Sequence, residues 1–396
     1  MGALRRALGL WLVLAAAYAL TLAVPGTPLT GPEAHRLLTA ESIVRDGDLD
    51  LADQYRERAW RRFTDVPLRP AAAPVQGRLV EASGLGFELL ISPAYALGGA
   101  LGVRLLLGAL AAAGFCLAAA LGRTLVPEPW ATRAALVTGL SPPALGAATA
   151  ISPEACGAAA LAGALLLALR VRDQPRAAWA LWTAVLVAAL PWLAAKLAAP
   201  AAVVAVVLAH WLRRRRRAMT GFVALEVVLT SAVVYVTVHE RLFGGLTPHA
   251  VAAGGATGAD GLSGYLARWP RLARVWLDPH EGLLVWAPFL LLALVGVGLL
   301  WRSRRDRLAV AIEHQGDADA SAAVLALVAA AVVLVAVVLA PALGDSGRGW
   351  WHARQVVPAL PALAALAAWG LRFAPRTGAA LAAVTVAQSA AVLLLA

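Results

Sequence analysis

The sequence predicts an all-α polytopic membrane protein that crosses the bilayer about eleven times. Three observations predict it. Of 396 residues, 61% are hydrophobic and only 14% charged, where a soluble domain carries nearer a quarter. Apolar runs of about 17–22 residues, the length a hydrocarbon core requires, recur from end to end. The bases, all arginine except Lys196, gather in the short loops between those runs. A net charge of +11 on a soluble chain would point to nucleic acid. On helix ends it points to topology instead, and no nucleic-acid partner is expected.

The expected spans are 7–24, 101–121, 131–149, 154–171, 177–191, 197–212, 218–238, 282–300, 321–341, 355–371 and 378–395. The first follows Arg5 and Arg6 as a signal peptide would. "TLAVPG" is a poor cleavage site, however, so it reads as a retained helix. Arginines then fall in every second short loop, which sets the N-terminus in the cytoplasm. The run Arg213 to Arg217 needs no role beyond holding to the inner leaflet. On this reading 25–88 and 240–280 are extracytoplasmic loops, joined on that face by "GDSGRGWWHAR" at 344–354. The segment 87–100 is apolar but broken by Pro and Gly, and is expected to be irregular, lying at the interface or re-entering. No repeat or separate soluble domain is visible, so 1–396 reads as one transmembrane domain. Cys116 and Cys156 lie in apolar segments and give neither a disulfide framework nor metal spacing. Heavy Ala, Arg and Leu usage suggests a GC-rich bacterial genome, hence a bacterial cytoplasmic (inner) membrane.

Against this background "GPEAHRLLTAESIVRDGDLDLADQY" (31–55) is anomalous, holding Glu33, His35, Glu41, Asp46, Asp48, Asp50 and Asp53. Residues from Ala34 onward have the spacing of a short amphipathic helix lying on the membrane surface. Gly31-Pro32 puts Glu33 at its start, where the helix dipole favours a carboxylate, so a capping role stands beside a chemical one. Glu154 occupies the same kind of position in "ISPEA". Lys196 and Arg354 stand at expected outer helix ends, where long basic side chains also snorkel cheaply. "DGDLDL" resembles a fragment of a calcium loop without its remaining ligands. A turn held by Asx-type bonds is the simpler account, so a divalent metal is possible but not indicated.

These stretches resemble the GT-C superfamily of membrane glycosyltransferases, the relatives of protein O-mannosyltransferases and aminoarabinose lipid A transferases. Members often carry "GDEPHYL" and "DGDLDL" just after their first helix. Further resemblances follow in chain order: "SGLGFELLISPAYALGG" (83–99), "SPPALGAATAISPEACGAA" (141–159), "LPWLAAKLA" (190–198), "WLDPHEGLLVWAPFLLLALVG" (276–296) and "GRGWWHARQVVPALP" (347–361). The resemblance covers nearly the whole chain. It implies a sugar donor linked to a polyprenyl phosphate, used at the outer face and transferred with inversion to a lipid, glycan or protein acceptor.

By the same resemblance Glu33, His35 and Glu154 match catalytic positions. Lys196, Arg354 and Arg348 match positions that meet the donor phosphate. Asp278, Trp350 and Trp351 support the site, although the two tryptophans read equally well as an interfacial belt. The chain departs from the pattern at Pro32, which replaces the first acid of the family's Asp-Glu pair, at Ser83 in place of His, and at Glu88 in place of Pro. Pro32 leaves open a catalytically inactive member of the fold. A lipid- or solute-binding transporter is the other alternative, but it would carry charges within several helices and paired broken helices. Here the charges collect at one face.

Overall fold

The computed structural model describes residues 2–23, 29–65, 67–70, 73–81, 84–246, 261–280, 282–303, 313–339 and 353–395. Helix dominates them; one isolated bridge joins Val75 and Arg78. In chain order the helices are α1 (Gly2–Thr21), α2 (Gly31–Arg45), α3 (Ala52–Arg56), α4 (Leu85–Gly122), α5 (Trp130–Gly139), α6 (Pro142–Thr149) and α7 (Pro153–Asp173). Then come α8 (Ala177–Leu193), α9 (Ala198–Arg214), α10 (Ala218–Phe243), α11 (Gly261–Leu266), α12 (Arg271–Leu277) and α13 (Leu283–Trp286). The last four are α14 (Leu291–Ser303), α15 (Glu313–Leu339), α16 (Leu360–Phe373) and α17 (Pro375–Leu395).

Eight helices among the described residues are long and apolar enough to cross a membrane. The other expected spans are met by two shorter apolar helices, Ala177–Leu193 and Pro288–Leu299, and by the α5–α6 pair. That pair was expected as one span. Pro142 and Pro143 divide it, because proline starts a helix readily but cannot continue one. The chain is a multi-pass, all-α membrane protein.

Helix α16 and the turn before it form the most enclosed span, 83% buried, and α7 follows at 78%, whereas α10 is 6% buried and faces outward. Glycines allow the tight packing at the centre. A Cβ on Gly114 would meet Ala159 of α7, and Gly296 and Gly370 let the backbones of α14 and α16 meet. Without a hydrophobic drive between helices in lipid, such small residues carry much of the association.

Two expectations change. Residues 87–100 are not irregular: α4 runs through them, and the break is confined to Gly98 and Gly99. Gly99, at φ 57° and ψ −146°, holds a conformation that essentially only glycine adopts.

The second change concerns α2, which forms where expected but does not lie on the surface. Leu37 packs with Phe87, Ile91, Leu107 and Ile151, while Leu38 packs on the opposite side with Leu51, Trp60 and Leu79. The polar stretch after α2 folds back and covers it. Asp48 Oδ1 accepts from Ser42 Oγ at 2.9 Å and Asp50 N at 3.1 Å. Asp50 Oδ1 accepts from Ala52 N at 3.1 Å and Leu79 N at 3.0 Å. These are the Asx-type turns that the sequence suggested.

At the far end of α7 the arginine-rich turns meet. Arg215 donates to the Arg172 carbonyl, and Arg172 Nη1 donates to Ser321 Oγ at 2.8 Å. The loops around 170–176 and 213–217 therefore share one end of the bundle. The start of α7 lies at the opposite end, with the candidate site.

Candidate functional site

Glu154 is the second residue of α7 and is 2% exposed. Lys196 reaches it from a short turn, Ala195–Leu197, that follows extended Ala194 at the end of α8. Its Nζ lies 2.6 Å from Glu154 Oε1 and donates to Gln355 Oε1 at 2.8 Å. Arg354 comes from the turn that leads into α16, after Ala353 at φ 53°. Its Nε lies 3.2 Å from the same Oε1. Three distant segments thus meet on one carboxylate oxygen. Gly157, one turn into α7, makes room for Leu197, whose Cδ1 would lie 2.7 Å from a Cβ there.

Helix α2 fixes the approach to this point. Glu33 caps its own helix, accepting from Thr30 N and Thr30 Oγ1 through Oε2, both at 2.9 Å. Its other oxygen, Oε1, accepts from Ile151 N at 2.9 Å. Arg36, one turn on, donates from Nη1 to the Ile151 carbonyl at 2.7 Å and lies over the Phe87 ring at 5.6 Å. An i, i+3 pair on α2 therefore grips both polar groups of Ile151, three residues before Glu154.

Arg36 also couples Glu33 to the rest. Burial pushes its guanidinium below the usual value, Arg354 adds to that, and Glu154, Glu88 and Glu33 oppose it. Three acidic side chains (Glu33, Glu88, Glu154) and three basic ones (Arg36, Lys196, Arg354) thus share this region. Removing one partner from such a buried set leaves an uncompensated charge, which is more costly than the set is stabilising.

His35 points elsewhere. Its Nδ1 is 2.6 Å from the Tyr55 hydroxyl and 3.2 Å from Glu81 Oε1, and Tyr55 donates to that same oxygen. Burial, then the Glu81 charge, pushes the Tyr55 phenol well above its usual range, so it stays protonated. This cluster ties α2 to the covering loop. Asp278 closes its own turn, with His280 N at 2.9 Å and Arg274 Nε at 3.5 Å. Arg348, Trp350 and Trp351 lie outside the described residues.

The structure thus joins Glu154, Lys196 and Arg354 directly and Glu33 through Ile151, and gives His35 and Asp278 other partners. Sequence reasoning missed Arg36, whose signal was its i, i+3 spacing from Glu33. It also missed Ser152. This residue stands at the N-cap of α7 without a side-chain cap bond, fully buried and with its Oγ unpartnered. Glu154 Oε2 is likewise buried and unpartnered. Among the described residues no group of three or more His, Cys, Asp or Glu side chains is arranged to hold a metal.

No protein-family model matches the sequence, and no curated protein matches it. Among solved structures, ArnT from Cupriavidus metallidurans bound to undecaprenyl phosphate is similar, with a TM-score of 0.54 and 16% identity. The match covers 94% of this chain and 62% of that one, so the chain spans under two thirds of that protein's length. The apo state of the same protein gives 0.49 and 17%, over 94% of this chain and 61% of that one. At such identity the likeness is one of architecture, and by that architecture the chain has a GT-C-like fold.

Proposed function

We propose that the chain is a membrane glycosyltransferase. It moves a hexosyl or pentosyl group from a polyprenyl-phosphate donor to a hydroxyl of a lipid, glycan or protein of the bacterial envelope. The reaction takes place at the extracytoplasmic face of the cytoplasmic membrane and inverts the anomeric carbon. The observation that carries this reading is the meeting of Lys196 and Arg354 on Glu154 at the end of the bundle opposite the arginine-rich loops. A lipid-linked donor stays in the bilayer and presents its phosphate at a helix end. Two cations held there by a carboxylate are suited to take over the charge of a departing phosphate. A carboxylate of the same cluster takes the acceptor proton. That the ArnT structure of like fold holds undecaprenyl phosphate supports the lipid-linked donor. Of the remaining positions, the resemblance offers Arg348 as a further cation for the phosphate, His35 as a catalytic residue, and Asp278, Trp350 and Trp351 as supports.

A second reading, an inactive member of the fold, draws on Pro32 and on Glu33 having both oxygens engaged. One experiment separates the two. The full chain is placed in phosphatidylethanolamine–phosphatidylglycerol vesicles. It is given tritiated polyprenyl-phosphate mannose, glucose and arabinose, with washed envelopes of a deletion strain as acceptor. Transfer from one donor, and its loss in Lys196→Met and Arg354→Met proteins that remain inserted, is expected. No transfer from any donor, with an unchanged envelope glycan profile in the deletion strain, rules the transferase reading out.

A further inference from the structure

A serine at a helix N-cap ordinarily accepts a hydrogen bond from the second or third amide of the helix. Ser152 makes no such bond, although its backbone is extended as an N-cap requires, at φ −152° and ψ 154°. The residue is fully buried and its Oγ has no partner. Two residues on, Glu154 divides its carboxylate unevenly. Oε1 takes both Lys196 and Arg354, and Oε2 takes nothing while just as buried. Buried polar atoms are rarely left unmade, because desolvation then goes uncompensated. Here two of them fall at the start of one helix, beside a gripped backbone and two buried cations.

The two atoms suit one chemical group. A carboxylate oxygen only accepts, and a serine hydroxyl both donates and accepts. An alcohol can donate to the first and exchange a hydrogen bond with the second. We infer that Ser152 Oγ and Glu154 Oε2 form the seat of the acceptor hydroxyl, and that Glu154 rather than Glu33 receives its proton. This inference rests on the transferase reading.

The seated hydroxyl gives its proton to Oε2 as its oxygen bonds to the anomeric carbon. The bond from that carbon to the phosphate oxygen breaks, and the electron pair leaves on the phosphate, whose charge Lys196 and Arg354 hold. Glu33 is less free for this part, with both of its oxygens already accepting; through Ile151 it positions Glu154.

Ser152→Ala tests the seat because the hydroxyl has no protein partner to lose. In the vesicle assay above it should raise the KM for the envelope acceptor about five-fold, the effect of one neutral hydrogen bond. The melting temperature should not move. Ser152→Thr, which keeps the hydroxyl, should recover most of the loss. Parent-like transfer by Ser152→Ala would overturn the seat alone. A loss accompanied by a lowered melting temperature would assign the hydroxyl to a buried structural water and overturn it too. A parent protein that transfers from none of the three donors would overturn the seat together with the transferase reading.

Discussion

The two ends of α7 each bury a charged side chain, and they treat it differently. At the far end Arg172 is 7% exposed. Its Nε meets Asp173 at 2.7 Å and its Nη1 meets Ser321, and none of its nitrogens is left buried and unpartnered. At the near end Glu154 is 2% exposed, attracts two cations to one oxygen and leaves the other without a partner. An end that only joins helices satisfies its charge fully. An end that retains an unmade buried acceptor beside two cations is, on the proposed reading, arranged to bind something else. The contrast separates structural from functional burial within a single helix.

The largest expected effect lies at the near end. Lys196→Met leaves Glu154 facing fewer cations and should destabilise the fold by about 3–5 kcal/mol, measured by thermal unfolding in detergent, with transfer lost as well. Arg172→Met at the far end removes charge-assisted hydrogen bonds and should cost about 1.5–3 kcal/mol. The partner Asp173 is half exposed, so the ion pair itself adds little. Transfer per folded molecule should be unchanged, and a change would break the comparison. Glu33→Gln keeps an acceptor for one donor and loses the charge; about 1 kcal/mol of stability should go, with transfer lowered only a few-fold through the position of Glu154. Smallest is Asp48→Asn, which keeps the acceptor oxygen that Ser42 and Asp50 bind; stability should fall by under about 1 kcal/mol, and transfer should hold.

Much of the fold was legible because apolar length and arginine spacing are one-dimensional signals. The expected apolar segments are mainly helical in their described parts, and the lone lysine already stood out at an expected outer helix end. What was not legible depends on the chain meeting itself. Helix α2 looked interfacial because its cover, the Asx-turn stretch, is polar in sequence and encloses Leu38 only after folding back. The Gly98–Gly99 break looked like an irregular segment because glycine marks the place of a kink and not its extent. Arg36 gained a role only with Ile151 beside it. Ser152 carried no signal of its own, and only the missing cap bond sets it apart. Glu33 satisfied both the capping and the chemical reading in sequence, and the donors on both of its oxygens favour the first.

Transfer rates of Glu154→Gln and Glu33→Gln in the same vesicles, per correctly inserted molecule, test most directly which carboxylate takes the proton. Losing a general base costs about 100- to 10,000-fold. If Glu154 is the base, a loss of that size is expected for Glu154→Gln and a loss below about ten-fold for Glu33→Gln. The reverse order, with Glu154→Gln near the parent rate and Glu33→Gln inactive, would contradict it.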